Sequence, residues 1–115
     1  MRIQIIDDKR PDAVFYYTWL SESYPQHEFS FTLESSDIDL SADAYIIDYQ
    51  HLQETGDAIA DRILEQNPGT PLAIYSGHSM SQLKELLPEK YHGLCVSKGE
   101  RFEATCAQIM RILES

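Results

Sequence analysis

Basic residues are scarce in this sequence. Nine Lys and Arg residues stand against nineteen Asp and Glu residues, which gives a formal net charge of −10 at pH 7. Nucleic-acid backbones attract clusters of Lys and Arg, and the sequence contains no such cluster, so we expect no nucleic-acid partner. The acidic excess is compatible instead with divalent cations or with a partner protein that has a basic surface.

Long apolar runs are also lacking, since no stretch approaches the roughly 20 residues that a membrane-spanning helix needs. The sequence shows no signal peptide, low-complexity segment or internal repeat. Its two cysteines, Cys95 and Cys106, give little support to a disulfide framework and favour a reducing compartment. We therefore expect a cytoplasmic protein that does not contact a membrane.

A chain of 115 residues is long enough for one hydrophobic core but not for two, so residues 1–115 are expected to form a single domain. Met1 leads directly into a strand-like run, and no linker follows the last helical pattern. These features favour a complete protein without an output domain over a fragment of a larger one.

Apolar strands alternate with amphipathic helices along the chain. Short apolar or alternating runs predict five strands, at residues 2–6, 28–34, 43–48, 71–76 and 93–97. Apolar residues at helical spacing predict four helices, at residues 10–23, 55–66, 79–87 and from 102 onward. In the first helix Phe15, Tyr16, Trp19 and Leu20 are expected to face the core. Such alternation indicates an α/β fold with a parallel sheet covered on both faces.

Polar side chains follow several of these strands. In open α/β sheets chemistry gathers at the carboxyl ends of the strands, so Asp7, Asp8, Asp48, Ser76 and Lys98 belong together. Converging carboxylates are suited to Mg²⁺, which prefers oxygen ligands and shares its coordination shell with phosphate oxygens. A carboxylate beside such an ion can attack phosphorus, and a lysine and a hydroxyl can stabilise the phosphoryl oxygens.

Over essentially its whole length the sequence resembles the receiver domain of two-component response regulators. The resemblance implies a flavodoxin-like, doubly wound sheet of five parallel strands in the order 2-1-3-4-5. It implies these roles: Asp48 as phosphoacceptor, Asp7 and Asp8 as metal ligands, Ser76 as switch hydroxyl and Lys98 as phosphate partner. Gln50 would give its backbone carbonyl to the metal, and Gly56 lies where the family usually has glycine.

The resemblance also implies how the protein would act. Asp48 would accept a phosphoryl group from a histidine kinase or a histidine phosphotransfer protein in a Mg²⁺-dependent reaction. The protein would catalyse only its own phosphorylation and dephosphorylation, and it would signal to a downstream protein target. By the same resemblance, Gln50 and His78 would tune the lifetime of the phosphate, since they occupy two positions associated with it in the family. A homodimer would use the fourth helix, the last strand and the fifth helix.

The sequence departs from the family pattern at several places. About nine residues, Ser35 to Asp43, separate the second and third strands, which is too short for a crossover with a full helix. We therefore predict that the second helix is shortened or missing. Cys95 replaces the aromatic switch residue, so Tyr75 or Tyr91 would have to substitute, and Gly99 replaces the proline that commonly follows the lysine.

These departures leave two other functions open. The first is a pseudo-receiver, which would keep the fold and act as a phosphorylation-independent protein-binding module. The second is an enzyme of the haloacid dehalogenase type, which also uses an Asp after a strand. That enzyme requires a second Asp two residues after the nucleophile, where this sequence has Gln50.

Overall fold

Strands and helices alternate from the first residues to the last. The computed structural model describes residues 1–99 and 101–115. Its strands are β1 (Arg2–Ile6), β2 (Glu28–Thr32), β3 (Ala44–Asp48), β4 (Leu72–Ser76) and β5 (Cys95–Ser97). The α-helices in the described part are α1 (Arg10–Ser23), α2 (Gly56–Gln66), α3 (Met80–Leu86) and α4 (Phe102–Glu114).

The five strands form one parallel sheet in the order β2-β1-β3-β4-β5. The predicted doubly wound fold and its strand order are therefore confirmed. Because all strands run in the same direction, the segments that follow β1, β3, β4 and β5 reach the same edge of the sheet. Ile6 lies opposite Ile47, and Asp48 lies opposite Tyr75, so the ends of three neighbouring strands are aligned.

A hydrophobic core lies on each face of the sheet. Tyr16 and Leu20 of α1 and Ile109 of α4 pack on one face, together with Tyr75 of β4. The other face is covered by α2 and α3, which bury Ile59, Ala60, Ile63 and Leu83 against it. Strands buried on both faces account for the nearly continuous apolar runs in the sequence.

The connection between β2 and β3 contains a short 3₁₀ turn, Ser35–Asp37, in place of the second helix of the receiver pattern. The predicted loss of this helix is confirmed. Polar contacts hold the turn instead: the amide and hydroxyl of Ser35 donate to Gln53 Oε1 at 2.7 and 2.9 Å. Arg62 of α2 donates to the carbonyl of Ser35 at 2.7 Å.

One expectation about α1 is wrong. Phe15 was expected to face the core, but 58% of its surface is exposed, whereas Tyr16 and Leu20 are buried. Phe15 lies at the border of the apolar stripe, where its ring packs edge-on against Phe102 at 4.5 Å between centroids. Helical spacing identifies such a stripe but not the residue at which it meets solvent.

The start of α3 is fixed by a reciprocal capping box. Ser79 Oγ accepts a hydrogen bond from the amide of Gln82 at 3.2 Å, and Gln82 Oε1 accepts one from the amide of Ser79 at 2.9 Å.

Among the described residues the longest helix has 14 residues, and no helix combines the length and hydropathy that crossing a bilayer requires.

Candidate functional site at the carboxyl end of the sheet

Three carboxylates meet where β1 and β3 end. Asp7 and Asp8 follow β1 directly and Asp48 is the last residue of β3, so the parallel pairing of the two strands brings them together. One carboxylate oxygen from each residue lies within 4.8 Å of the others. Asp7 and Asp48 are 0% and 1% exposed. Buried carboxylates this close repel one another, so the site needs positive charge.

The side chain of Asp8 indicates that this positive charge is a divalent cation. Its side chain is only 8% exposed, and its Oδ1 atom is buried without a hydrogen-bond donor among the described residues. A buried carboxylate oxygen that accepts no hydrogen bond is costly for the fold, whereas a divalent cation could coordinate it. Three hard oxygen donors are the ligand type that Mg²⁺ prefers, so these residues fit that ion.

The backbone after β3 turns back over Asp48. The amide of Gln50 donates to Asp48 Oδ1 at 3.2 Å, which keeps Gln50 beside the acidic cluster. Gly56 closes this segment, since its amide donates to the carbonyl of Tyr49 at 2.9 Å. A Cβ atom on Gly56 would lie 2.7 Å from Tyr49 Cα and 3.1 Å from the carbonyl oxygen of Asp48. Only glycine therefore allows α2 to begin so close to the backbone at Asp48.

Tyr75 holds the inner side of the cluster. It is fully buried in β4, and its hydroxyl donates a hydrogen bond to Asp7 Oδ2, while the amide of Lys9 donates to Asp7 Oδ1 at 2.9 Å. Burial raises the pKa of Asp7, although these two hydrogen bonds oppose the effect. Burial, reinforced by the charge of Asp7, raises the pKa of Tyr75 well above its ordinary value. This contact was missed in the sequence, which predicted Tyr75 only as a substitute for the switch aromatic.

Lys9 is the functional candidate that the sequence reasoning missed altogether. Its Nζ atom lies 3.2 Å from Asp48 Oδ2 and 3.6 Å from Asp8 Oδ1. Burial alone would lower the pKa of Lys9, but the nearby carboxylates, Asp48 first among them, raise it overall. The only signal in the sequence is that Lys9 directly follows the two aspartates.

Lys98 lies to the side of the cluster, near α1. Its Nζ atom is 3.9 Å from Asp12 Oδ2 and 4.8 Å from the centroid of the Tyr75 ring. Its backbone amide donates to the carbonyl of Ser76 at 2.7 Å, which fixes the start of its loop. Among the described residues, the ammonium hydrogen-bonded to Asp48 is that of Lys9.

Ser76 and His78 form a second small group at the end of β4. Ser76 Oγ lies 2.7 Å from His78 Nδ1 and accepts a hydrogen bond from the amide of His78 at 3.1 Å. Ser97 Oγ donates to the carbonyl of His78 at 2.7 Å, so β5 supports the same loop. Gln50 Oε1 lies close to Gly77, which places Gln50 and His78 on facing loops.

Cys95 lies away from this edge, at the start of β5. It is buried on the face covered by α2 and α3, where its thiol donates to the carbonyl of His92 at 3.3 Å. Burial raises the pKa of Cys95. Tyr91 is buried in the same core, but its hydroxyl is bonded to Asp61 Oδ1 at 2.5 Å. Tyr91 is therefore directed to α2, and the aromatic side chain that touches the acidic cluster is Tyr75.

Solved structures similar to this chain are receiver domains of response regulators. The response regulator TrrA of Thermotoga maritima, crystallised in complex with Mg²⁺-BeF, is 16% identical with a TM-score of 0.78 over 97% of this chain and 98% of that one. The chain has the receiver-domain fold. A receiver domain protein of Clostridium thermocellum (17% identical, TM-score 0.76) matches over 98% of this chain and 94% of its own.

A CheY-like receiver domain protein of Methanospirillum hungatei has the same fold, with 13% identity and a TM-score of 0.75 over 98% of this chain and 93% of that one. No protein-family model and no curated protein matches the sequence. The likeness thus lies in the three-dimensional arrangement of the chain, and the candidate site has to be judged on its own geometry.

Within the receiver-domain fold the predicted site residues fall into separate groups. Asp7, Asp8 and Asp48 share the acidic cluster, and the amide of Gln50 contacts it. Ser76 and His78 are bonded to each other, and Lys98 lies beside Tyr75. Cys95 belongs to the core on the α2 and α3 face.

Proposed function

We propose that this protein is a single-domain, Mg²⁺-dependent response regulator receiver whose phosphoacceptor is Asp48. The observation that carries the proposal is the acidic cluster itself, in which Asp48 is buried beside Asp7 and beside an oxygen of Asp8 that accepts no hydrogen bond from the described residues. Burying three carboxylates opposes folding, and the cluster lies at the sheet edge where α/β folds place their chemistry. The Mg²⁺-BeF complex of the similar TrrA supports the same metal requirement.

In the proposed reaction a carboxylate oxygen of Asp48 attacks the phosphorus of a phosphohistidine. The P–N bond breaks, the imidazole takes up a proton as it leaves, and the phosphoryl group becomes an acyl phosphate on Asp48. Bound Mg²⁺ would neutralise charge on the carboxylates and on the phosphoryl oxygens. The donor is a histidine kinase or a histidine phosphotransfer protein.

The protein side chains contribute orientation and positive charge. Lys98 is 27% exposed and weakly held at 3.9 Å by Asp12, so its ammonium is free to move to a phosphoryl oxygen. Ser76 would supply a hydroxyl hydrogen bond, for which it must turn from His78. Release of phosphate requires a water to attack phosphorus, and Gln50 and His78 would bind that water; their position on facing loops supports this role.

Output would proceed by contact with a downstream protein. The surface formed by α3, β5 and α4 corresponds to the fourth helix, last strand and fifth helix of the receiver pattern, because the second helix is replaced by the turn at Ser35–Asp37. We propose this surface for homodimerisation. We also propose that the protein is cytoplasmic. Its phosphodonor would be a phosphohistidine on a histidine kinase or on a histidine phosphotransfer protein.

The test is the intact mass of the protein after incubation with acetyl phosphate and Mg²⁺. We expect a gain of one phosphoryl group that is abolished by Asp48→Asn and by EDTA. The matched control is Asp39→Asn, which removes an exposed aspartate at the opposite end of the sheet and should leave the gain intact. A folded wild-type protein that gains no mass, or a gain that survives Asp48→Asn, would refute the proposal.

The alternative is a phosphorylation-independent protein-binding module. It is favoured by Cys95 at the switch position and by the bond that engages Ser76 with His78. The missing second helix also leaves a groove of about 210 Å³ beside α2, lined by Ile38, Leu40 and Ile63 among others. In that case the mass would not change, and partner binding would be the same for wild type and Asp48→Asn.

A further inference from the structure

Lys9 occupies a position between two of the proposed metal ligands. Its ammonium is hydrogen-bonded to Asp48 Oδ2 at 3.2 Å and lies 3.6 Å from Asp8 Oδ1. We propose that Lys9 is a tethered cation that competes with a divalent cation for Asp8 and Asp48, and so sets the cation concentration at which the site fills. The inference rests on the proposed function because it concerns the regulation of the same site.

The ammonium of Lys9 compensates the cluster only in part. One positive charge faces three carboxylates, and at 3.6 Å it leaves Asp8 Oδ1 without a hydrogen-bond donor. The side chain of Asp8 is more than nine-tenths buried, so water does not replace the missing donor freely. A divalent cation would bring twice the charge and could contact all three carboxylates, but it must first displace Lys9 from Asp48.

Lys9 is built for this exchange, because its backbone is fixed while its side chain is free to move. Its amide donates to Asp7 Oδ1 at 2.9 Å, and its carbonyl accepts from the amide of Ala13 in α1 at 2.9 Å. Its side chain is 50% exposed, so the ammonium can move into water while its stem stays near the protein. Breaking a half-exposed ion pair costs little, so displacement weakens metal binding moderately rather than preventing it.

The two lysines at this edge would then have separate tasks. Lys98 is held near Asp12 and the Tyr75 ring, to the side of the cluster, and would remain available to a phosphoryl group. Lys9 lies against the carboxylates of Asp48 and Asp8 themselves. Removing Lys9 should therefore change metal affinity without removing the proposed phosphate partner.

The experiment is a Mg²⁺ titration of the full chain, followed by the backbone amide shifts in two-dimensional NMR spectra. Lys9→Met keeps the stem but removes the charge, and we expect it to bind Mg²⁺ roughly three- to tenfold more tightly than wild type. Lys9→Arg keeps the charge and should bind close to the wild-type value. The matched control is Lys90→Met, which removes a lysine paired with Asp61 at 3.0 Å just before β5, at the other end of the sheet.

Thermal unfolding gives a second readout that is independent of phosphorylation. In EDTA, Lys9→Met should have a lower Tm than wild type because the three carboxylates lose their cation. Added Mg²⁺ should raise the Tm of this variant more than that of wild type. Mg²⁺ affinity that is equal or weaker in Lys9→Met, or absent from both proteins, would overturn the inference.

Phosphorylation by acetyl phosphate, measured on the same samples, separates the two proposals. Tighter Mg²⁺ binding by Lys9→Met without any phosphoryl gain on the wild-type protein would support the competing cation and refute the receiver function. Normal phosphorylation of Asp48 with unchanged Mg²⁺ affinity in Lys9→Met would do the reverse.

Discussion

Charged side chains are exposed and paired at the amino end of the sheet, whereas carboxylates are buried together at its carboxyl end. At the amino end charges are exposed and matched: Arg2 donates to Asp39 Oδ2 at 2.8 Å, and the Arg2 amide donates to Asp43 Oδ2 at 2.8 Å. At the carboxyl end Asp7, Asp8 and Asp48 are withdrawn from solvent around one half-exposed lysine. Exposed pairs of the first kind contribute modestly to stability, whereas buried like charges reduce it.

The pKa values of two aspartates, Asp39 and Asp7, show the same contrast between the two ends of the sheet. Hydrogen bonds from the side chain and the amide of Ser41 lower the pKa of Asp39, and Arg2 adds to the effect. Burial raises the pKa of Asp7. The fold thus favours the charged form of an aspartate at its amino end and disfavours it at its carboxyl end. Unfavourable charge that a protein retains in one place is typical of a functional site.

Among the substitutions that test this contrast, we expect the largest change in stability at Gly56. Gly56→Ala would place a Cβ atom 2.7 Å from Tyr49 Cα, so either α2 or the segment after Asp48 must move. We expect a loss of about 2–3 kcal/mol in the free energy of unfolding, measured with urea. The matched control is Gly69→Ala, between α2 and the amino end of β4, where a Cβ atom would meet no atom within 4 Å.

Gly69→Ala should change the free energy of unfolding by less than about 1 kcal/mol, and in the stabilising direction if at all. Similar losses in both glycine variants would mean that the carboxyl end is not packed more tightly than the amino end.

Charge removal should act with opposite signs at the two ends. In EDTA, Asp8→Asn should raise the free energy of unfolding by about 1–2 kcal/mol because it relieves repulsion within the buried cluster. Asp39→Asn should lower it by less than about 1 kcal/mol because it weakens an exposed pair with Arg2. Urea unfolding of both variants measures the difference, and a destabilised Asp8→Asn in EDTA would show that the cluster is not under repulsion.

Much of this architecture was predictable from the sequence because it follows from local patterns. The apolar runs before Asp7, Asp48 and Ser76 marked the strands, and their alternation with helices required a parallel sheet. The short connection between β2 and β3 limited what could form there, and a single 3₁₀ turn is found. The convergence of the three aspartates followed from the rule that strand ends share one edge.

The contacts made by side chains across the site were not predictable in the same way. Lys9 and Lys98 both lie near the cluster, and only the direction of each side chain decides which of them contacts Asp48. The bond from Tyr75 to Asp7 depends on the register of β3 against β4, which sequence patterns do not specify. Phe15 shows a related limit, since its exposure depends on where Phe102 of α4 packs.

The smallest expected effect is on the pH dependence of stability. Since the pKa of Asp39 is lowered in the folded protein, its stabilising contribution is present above its ordinary value of about 3.9 and is lost as pH falls through the lowered pKa. The raised pKa of Asp7 acts in the opposite sense: its contribution is present below about pH 3.9 and is lost as pH rises through the raised pKa.

Ser41→Ala isolates the contribution at the amino end. It removes the side-chain hydrogen bond of 2.6 Å to Asp39 Oδ1, together with two longer ones of 3.4 and 3.5 Å that Arg2 donates to Ser41 Oγ. The amide of residue 41 and the 2.8 Å pair between Arg2 and Asp39 stay in place. We expect the pKa of Asp39, followed by NMR of its side-chain carboxyl carbon, to rise towards its ordinary value, while that of Asp7 stays the same. Because Asp39 is exposed, the accompanying loss of stability at neutral pH should be only a few tenths of a kcal/mol. A pKa of Asp39 that does not move would assign its lowered value to Arg2 and the amide alone, and the matched charges of the amino end would then depend on backbone geometry rather than on this serine.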